Sequence, residues 1–211
     1  MTTLWKSLPR DMKPHGFQYS LKKWHKQKGE IQICQNGLHA SINIIDAMLH
    51  VSAEVIAKVE VRGQSDKRDD KQAWQEMRII EAYEWTKEDS IALSIYASRQ
   101  VIGIYEKEYP QDKRPRKAIE ATEEYAKNPT EENMEKCRTA AEAAASAASA
   151  AWAASAAASA AWAAASAARE AASAAWSAAD QAMKSKCHRF VLRRLSNKKP
   201  LNKLLINPPT K

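Results

Sequence analysis

The sequence predicts an α+β protein: a small mixed α+β head at the N-terminus, followed by an all-α, alanine-rich body built as a helical bundle or a long helical hairpin. Three observations predict it. Short apolar–polar alternations fall in the first 85 residues, together with four of the five glycines, Gly16, Gly29, Gly37 and Gly63. From Thr86 the apolar spacing lengthens to that of a helix. Between Thr130 and Asn197 there is neither Gly nor Pro, and alanine, the best helix former, dominates.

In the head, Phe17-Gln18-Tyr19-Ser20-Leu21 alternates as a half-buried strand does, and so does Glu30-Ile31-Gln32-Ile33-Cys34. Gln35-Asn36-Gly37 then reads as a turn, because Asn and Gly tolerate positive φ. Ser41 is placed to cap a short helix whose apolar face is Ile44, Ile45, Met48 and Leu49. Val55 to Val61 is β-branched and partly alternating, a strand. Arg62 to Lys71 reads as a charged loop, and Trp74 to Trp85 as a strand entering a helix.

The body opens at Thr86-Lys87-Glu88-Asp89, a threonine cap with acids in the first turn. Ile91, Ile95, Ile102 and Tyr105, with Leu93 and Val101 beside them, form one stripe, and the helix should stop near Tyr109-Pro110. Pro115 suits the first turn of a second helix, which Asn128-Pro129 ends. Thr130-Glu131-Glu132 starts a third. The domains implied are a head at 1–85, a helical domain at 86–197 with an Ala/Ser/Trp tract at about 139–183, and a basic, proline-containing tail at 198–211.

The tract carries a repeat of seven. Ser155, Trp162, Arg169, Trp176 and Met183 form one set; Trp152, Ser159, Ser166, Ser173 and Asp180 form a second, three or four residues away and so on the same helix face. Alanine faces approach closely but bury little area, so the tryptophans carry the contact energy. Trp152, Trp162, Arg169 and Trp176 are therefore either a packing stripe for the neighbouring helices or a surface for a protein partner or self-association. The uncharged run from Ala143 to Ala168 is long enough to span a bilayer, but it is almost all Ala and Ser, so no membrane span is expected.

Signatures of the common catalytic classes are absent: there is no GxGxxG, GxxxxGK[ST], HExxH or GxSxG. Cys34, Cys137 and Cys187 are scattered, without CxxC or zinc spacing, which points to reduced thiols and no metal or other cofactor. No catalytic residue is assigned. The polar corner Asn36, Gly37, His39 and Ser41 is the candidate ligand site, where backbone N–H groups at a helix start would hold an anion. The bland alternative is that His39 hydrogen-bonds across the corner and Ser41 caps the helix.

Lys plus Arg is 33 against 25 acids, a net charge of +8. Lys22, Lys23 and Lys26 flank Trp24 and His25; Lys113, Arg114, Arg116 and Lys117 form a second cluster. Basic residues beside an aromatic fit phosphate contacts with an anionic nucleotide or nucleic acid; they equally fit solvated faces.

Two stretches carry a family resemblance. Gly29-Glu30-Ile31 to Cys34-Gln35-Asn36-Gly37-Leu38-His39-Ala40-Ser41, a C-x-N-G-L-H-A-S motif, resembles an uncharacterised domain of phage and bacterial proteins. Arg114-Pro115-Arg116-Lys117-Ala118-Ile119-Glu120 with the Ala/Trp repeat is similar to the Imm-5-like immunity proteins. The resemblance implies a role in phage–bacterium or toxin–immunity conflict and supplies no catalytic residues. The functional expectation is a non-enzymatic cytoplasmic protein (in the host cytoplasm if phage-encoded) that sequesters a protein partner. The alternatives are a sponge for an anionic nucleotide signal or nucleic acid, and a nucleotide-processing enzyme using His39.

Overall fold

The computed structural model describes residues 3–51, 53–68, 70–162 and 166–201, and within these the side chains other than those of 50 and 147–180. The elements, in chain order, are β1 (Leu4–Leu8), a 3-10 turn (Pro14–Gly16), β2 (Trp24–Lys26), β3 (Leu38–Ala40), α1 (Ile44–His50), β4 (Val55–Lys67), β5 (Gln72–Glu84), α2 (Lys87–Glu108), α3 (Arg114–Lys127), α4 (Glu131–Trp162) and α5 (Ser166–Ser196). The architecture is α+β: an antiparallel five-stranded sheet, then helices. Two compact units result, Met1–Thr86 with Lys184–Lys211, and Lys87–Met183. The end of α5 thus belongs with the sheet, whereas its sequence placed residues 184–197 in the helical domain.

The long hairpin β4–β5 is the spine of the first unit. Val55, Ala57 and Val59 on β4 and Met77, Ile79 and Ala82 on β5 are buried in one core cluster. β1 pairs with the free edge of β4, Lys6 opposite Ala57. The outer edge of β5 is shared: β3 lies opposite Gln72–Trp74 and β2 opposite Glu76–Arg78. Trp5 and Ser41 exchange both backbone hydrogen bonds at 2.8 Å, so β1 also meets the chain leaving β3 and the sheet curls back toward its own start.

Several expectations for the head are corrected. Phe17–Leu21 is not a strand: Leu21 makes one bridge to Ile79, and Lys22 at φ +59° breaks the extended run. Glu30–Cys34 is not a strand either, because Gln32 pairs with Asn36 and turns the chain back on itself. The cap of α1 is Asn43, whose Oδ1 accepts from the Ile45 N–H, not Ser41, which is buried and already paired through its backbone. Leu49 faces solvent, 70% exposed, so the buried face of α1 is narrower than the sequence suggested. Arg62–Lys67 is strand rather than loop: Arg62 pairs with Glu76 and Ser65–Lys67 with Gln72–Trp74, the register shifting between them at Gly63-Gln64. β1, β2 and β3 were not anticipated.

The end of α5 buries Cys187, Val191 and Leu195, four apart on one stripe, and its His188 ring meets Trp5 of β1 edge-on. His188 Nδ1 accepts the Ile44 N–H at the start of α1, and Lys184 pairs with Asp46 at 3.3 Å. Leu201 packs against the sheet core and donates its N–H to the Ala82 carbonyl.

In the second unit α2, α3 and α4 run where the sequence put three helices, with breaks at Tyr109-Pro110 and Asn128-Pro129. Polar links tie them: Lys87 Nζ to the Tyr125 hydroxyl at 2.9 Å, Arg99 to Glu123, and Thr122 Oγ1 to Cys137 Sγ at 3.3 Å. Val101, set beside the apolar stripe by its spacing, is exposed instead. Residues 163–165, which decide between one rod and a hairpin, lie outside the described residues.

Candidate functional site

A cavity of about 550 Å³ opens in the first unit between β1, β3 and the segment around Phe17. Its most unusual wall residue is Lys6. On β1 the side chains alternate, and Lys6 shares a face with Leu4 and Leu8, both fully buried in the core cluster. Lys6 is itself only 7% exposed. Its Nζ donates to the His39 carbonyl at 2.8 Å and lies 4.8 Å over the Tyr19 ring. Among the described residues no carboxylate pairs with it. Burial alone lowers its pKa to about 8, because a buried ammonium has lost its hydration and gained no counter-charge. Tyr19, also buried, has its phenol pushed well above the ordinary range by the same desolvation.

The four candidate ligand residues all reach this cavity: Asn36, Gly37, His39 and Ser41 line it. Each also has an architectural duty. Asn36 Nδ2 donates to the carbonyls of Lys28 and Glu30, closing the loop before β3. Gly37, at φ +138°, lets the chain pass Ala73, whose Cβ would lie 2.9 Å from any Cβ built there. His39 Nε2 accepts the N–H of Cys34, which itself sits at φ +66°. The Nε2 lone pair is thus taken up by the Cys34 N–H, which supports the corner-bridging reading of His39. Ser41 is held by its backbone bonds to Trp5. The motif from Cys34 to Ser41 therefore builds one wall, and the ionisable group facing it comes from β1.

Lys6 was missed in the sequence. The signal was present: in Leu-Trp-Lys-Ser-Leu a period of two puts a lysine between two core leucines.

The basic clusters are elsewhere. Lys22, Lys23 and Lys26 are exposed, and Lys26 pairs with Glu76 at 3.3 Å. The same Glu76 pairs with Arg62 at 2.7 Å, which holds its carboxyl below the usual range. Arg62 and Arg78 stack on the Trp24 ring at 4.0 and 4.9 Å, and Arg78 is paired with Glu60. In the second unit, Lys113 precedes α3, Arg114 pairs with Asp112 at 2.6 Å, Arg116 pairs with Glu106, and Lys117 lies one position further along α3. Both clusters are thus laced with acids. The side chains of Trp152, Trp162, Arg169 and Trp176, assigned to a partner or packing stripe, lie outside the described residues.

Among the described residues, no group of three His, Cys, Asp or Glu side chains is placed to hold a metal, and no helix is long and apolar enough to cross a membrane. The three cysteines are free.

Residues 2–90 match the family model of a domain of unknown function, DUF7666. The match covers β1, the Cys34–Ser41 motif and the hairpin, and so contains the whole cavity. No curated protein and no solved structure matches the chain.

Proposed function

We propose that this chain is a non-enzymatic binding protein whose N-terminal unit captures a small anionic molecule in the cavity beside Lys6. One observation carries the reading: a buried ammonium lines an open cavity, and among the described residues no carboxylate balances it. Burying an unpaired charge is costly, and an anionic ligand supplies the missing partner in a site of low dielectric. Backbone and side chains of the Cys34–Ser41 motif hold the facing wall rigid, which suits recognition by a preformed site.

A small ligand is favoured over a nucleic acid because the buried ammonium lines a cavity wall within one unit, whereas phosphate contacts with a nucleic acid run along an exposed track of cations. The resemblance of Arg114–Glu120 and the Ala/Trp repeat to immunity proteins supports phage–bacterium conflict as the setting. There the chain would act as a sponge for an anionic signal, and the tryptophan face would serve assembly or a protein partner.

The test is to purify the full chain, denature it, and identify the released small molecules by mass spectrometry. An anion released in stoichiometric amount from the wild type, and absent from Lys6→Met, is the expected result. Release of a neutral molecule alone, or recovery of a stoichiometric protein partner with no small molecule, would overturn it.

A further inference from the structure

Beside Lys6, part of the cavity wall is aromatic. Trp5, His15, Phe17, Tyr19 and His39 reach it from three separate segments. Phe17 and Tyr19 stand edge to face with centroids 4.8 Å apart, and each meets the His25 ring in the same manner, at 5.6 and 5.3 Å. This three-ring cluster fixes the plane of Phe17 while leaving its side chain only half-buried. Tyr19 belongs both to that cluster and to the lysine site, so the cation and the rings form one continuous surface.

A compact saturated anion would satisfy Lys6 and leave the aromatic wall wet. A neutral aromatic would cover the wall and leave the ammonium uncompensated. Only a molecule with both parts removes both penalties. We infer that the cavity takes a flat aromatic or heteroaromatic acid, with its anionic group on Lys6 Nζ and its ring against Phe17 and Tyr19. The inference rests on the anion reading above. Gln27 and the half-buried Lys71, which also line the cavity, stand ready to meet further oxygens of the ligand. Carboxylate and phosphate share the chemistry that Lys6 recognises.

The experiment is isothermal titration of the full chain at neutral pH with six probes. Benzoate and adenosine monophosphate are the aromatic acids, acetate and inorganic phosphate the non-aromatic ones, and benzamide and adenosine the neutral rings. The expected result is that one aromatic acid binds about tenfold or more tightly than its non-aromatic and its neutral counterpart, and which one does so names the acid. Lys6→Met should erase the advantage over the neutral ring, and Phe17→Leu the advantage over the bare anion. Circular dichroism confirms that both variants fold. Acetate or phosphate binding within about twofold of the aromatic acids would overturn the inference and leave the anion reading standing. Neutral rings binding as well as the acids would overturn the anion reading itself, and silence from all six probes would overturn the inference.

Discussion

The ammonium of Lys6 donates to the carbonyl oxygen of His39 across 2.8 Å, joining the centre of β1 to the centre of β3. These strands are not ladder partners at that point; the sheet brings them together by curling until Trp5 meets Ser41. The bond satisfies one of three ammonium protons and contributes no charge. Lys6 is therefore oriented but not neutralised, which is the state expected of a group that awaits a ligand.

Replacing Lys6 by Met should stabilise the ligand-free protein and abolish anion binding. The gap between the ordinary lysine value of 10.5 and about 8 corresponds to about 3 kcal/mol held against the folded state at neutral pH. The sign follows from the direction. Because the folded value is the lower one, the unfolded chain holds more protons between pH 8 and 10.5, and wild-type stability should rise across that window. Lys6→Met should lose this rise while melting higher at pH 7. Thermal unfolding of both proteins at pH 7, 8, 9 and 10 checks it; a lower melting temperature for Lys6→Met at pH 7 contradicts it.

The fold class and helices α2 to α4 were legible in the sequence, much of the sheet was not, and the gaps have physical reasons. Helices α2 to α4 followed from the long apolar period and from Pro110, Pro115 and Pro129, because proline acts through local sterics alone. The strand from Val55 was legible for the same reason, as β-branched alternation is local. Phe17–Leu21 alternates equally well, yet forms no strand, because Lys22 leaves the extended region and the pairing with β5 stops at the single Leu21–Ile79 bridge. At the site, Asn36, Gly37 and His39 stood out because turn chemistry marks them. Lys6 did not, because its importance arises only when β1 closes against Ser41, a contact 36 residues distant (41 less 5).

Gly37→Ala should unfold the head more readily than Gly16→Ala, although both glycines have positive φ. At Gly16 an added Cβ would meet nothing within 4 Å, so alanine there faces only the backbone penalty of about 1 kcal/mol. At Gly37 a Cβ would also lie 2.9 Å from Ala73 Cβ and 3.2 Å from Ile31 Cγ2. Since Ala73 is fully buried in β5, the clash adds about 1–3 kcal/mol. Denaturant unfolding of the two variants gives the comparison, and equal losses would show that the contact relaxes freely.

His39→Ala and Asn36→Ala should behave alike, as loosened loops rather than dead enzymes. His39 Nε2 holds the Cys34 N–H at 3.1 Å, while Asn36 Nδ2 bridges the carbonyls of Lys28 and Glu30. Water can replace these partners at an exposed loop, so each loss should be about 1 kcal/mol. Amide exchange should speed up across residues 28–38 in both variants. Faster exchange in Asn36→Ala alone would restore His39 as a candidate catalytic group.

Acid should detach the end of α5 from the head. His188 Nδ1 accepts the Ile44 N–H at 3.1 Å, and its ring meets Trp5 edge-on with centroids 6.4 Å apart. Burial first, and then the neighbouring Arg189, lower its pKa below 6.5, with Asp46 opposing. A histidine depressed in the folded state stabilises fully above pH 6.5, and that stability is lost as pH falls through the folded value. Protonation also removes the acceptor, so the Ile44 N–H at the start of α1 loses its partner. Lys184, paired with Asp46 on the adjoining turn, adds positive charge beside the ring and favours release. Protection from amide exchange, taken relative to the intrinsic rate at each pH, should therefore fall together at residues 184–196 and at Ile44 between pH 7 and 5, ahead of any loss in β4 and β5. In His188→Leu the same protons should exchange fast already at pH 7 and show no further step on acidification. A pH step of wild-type size in His188→Leu would assign the effect to Asp46 and Lys184 instead.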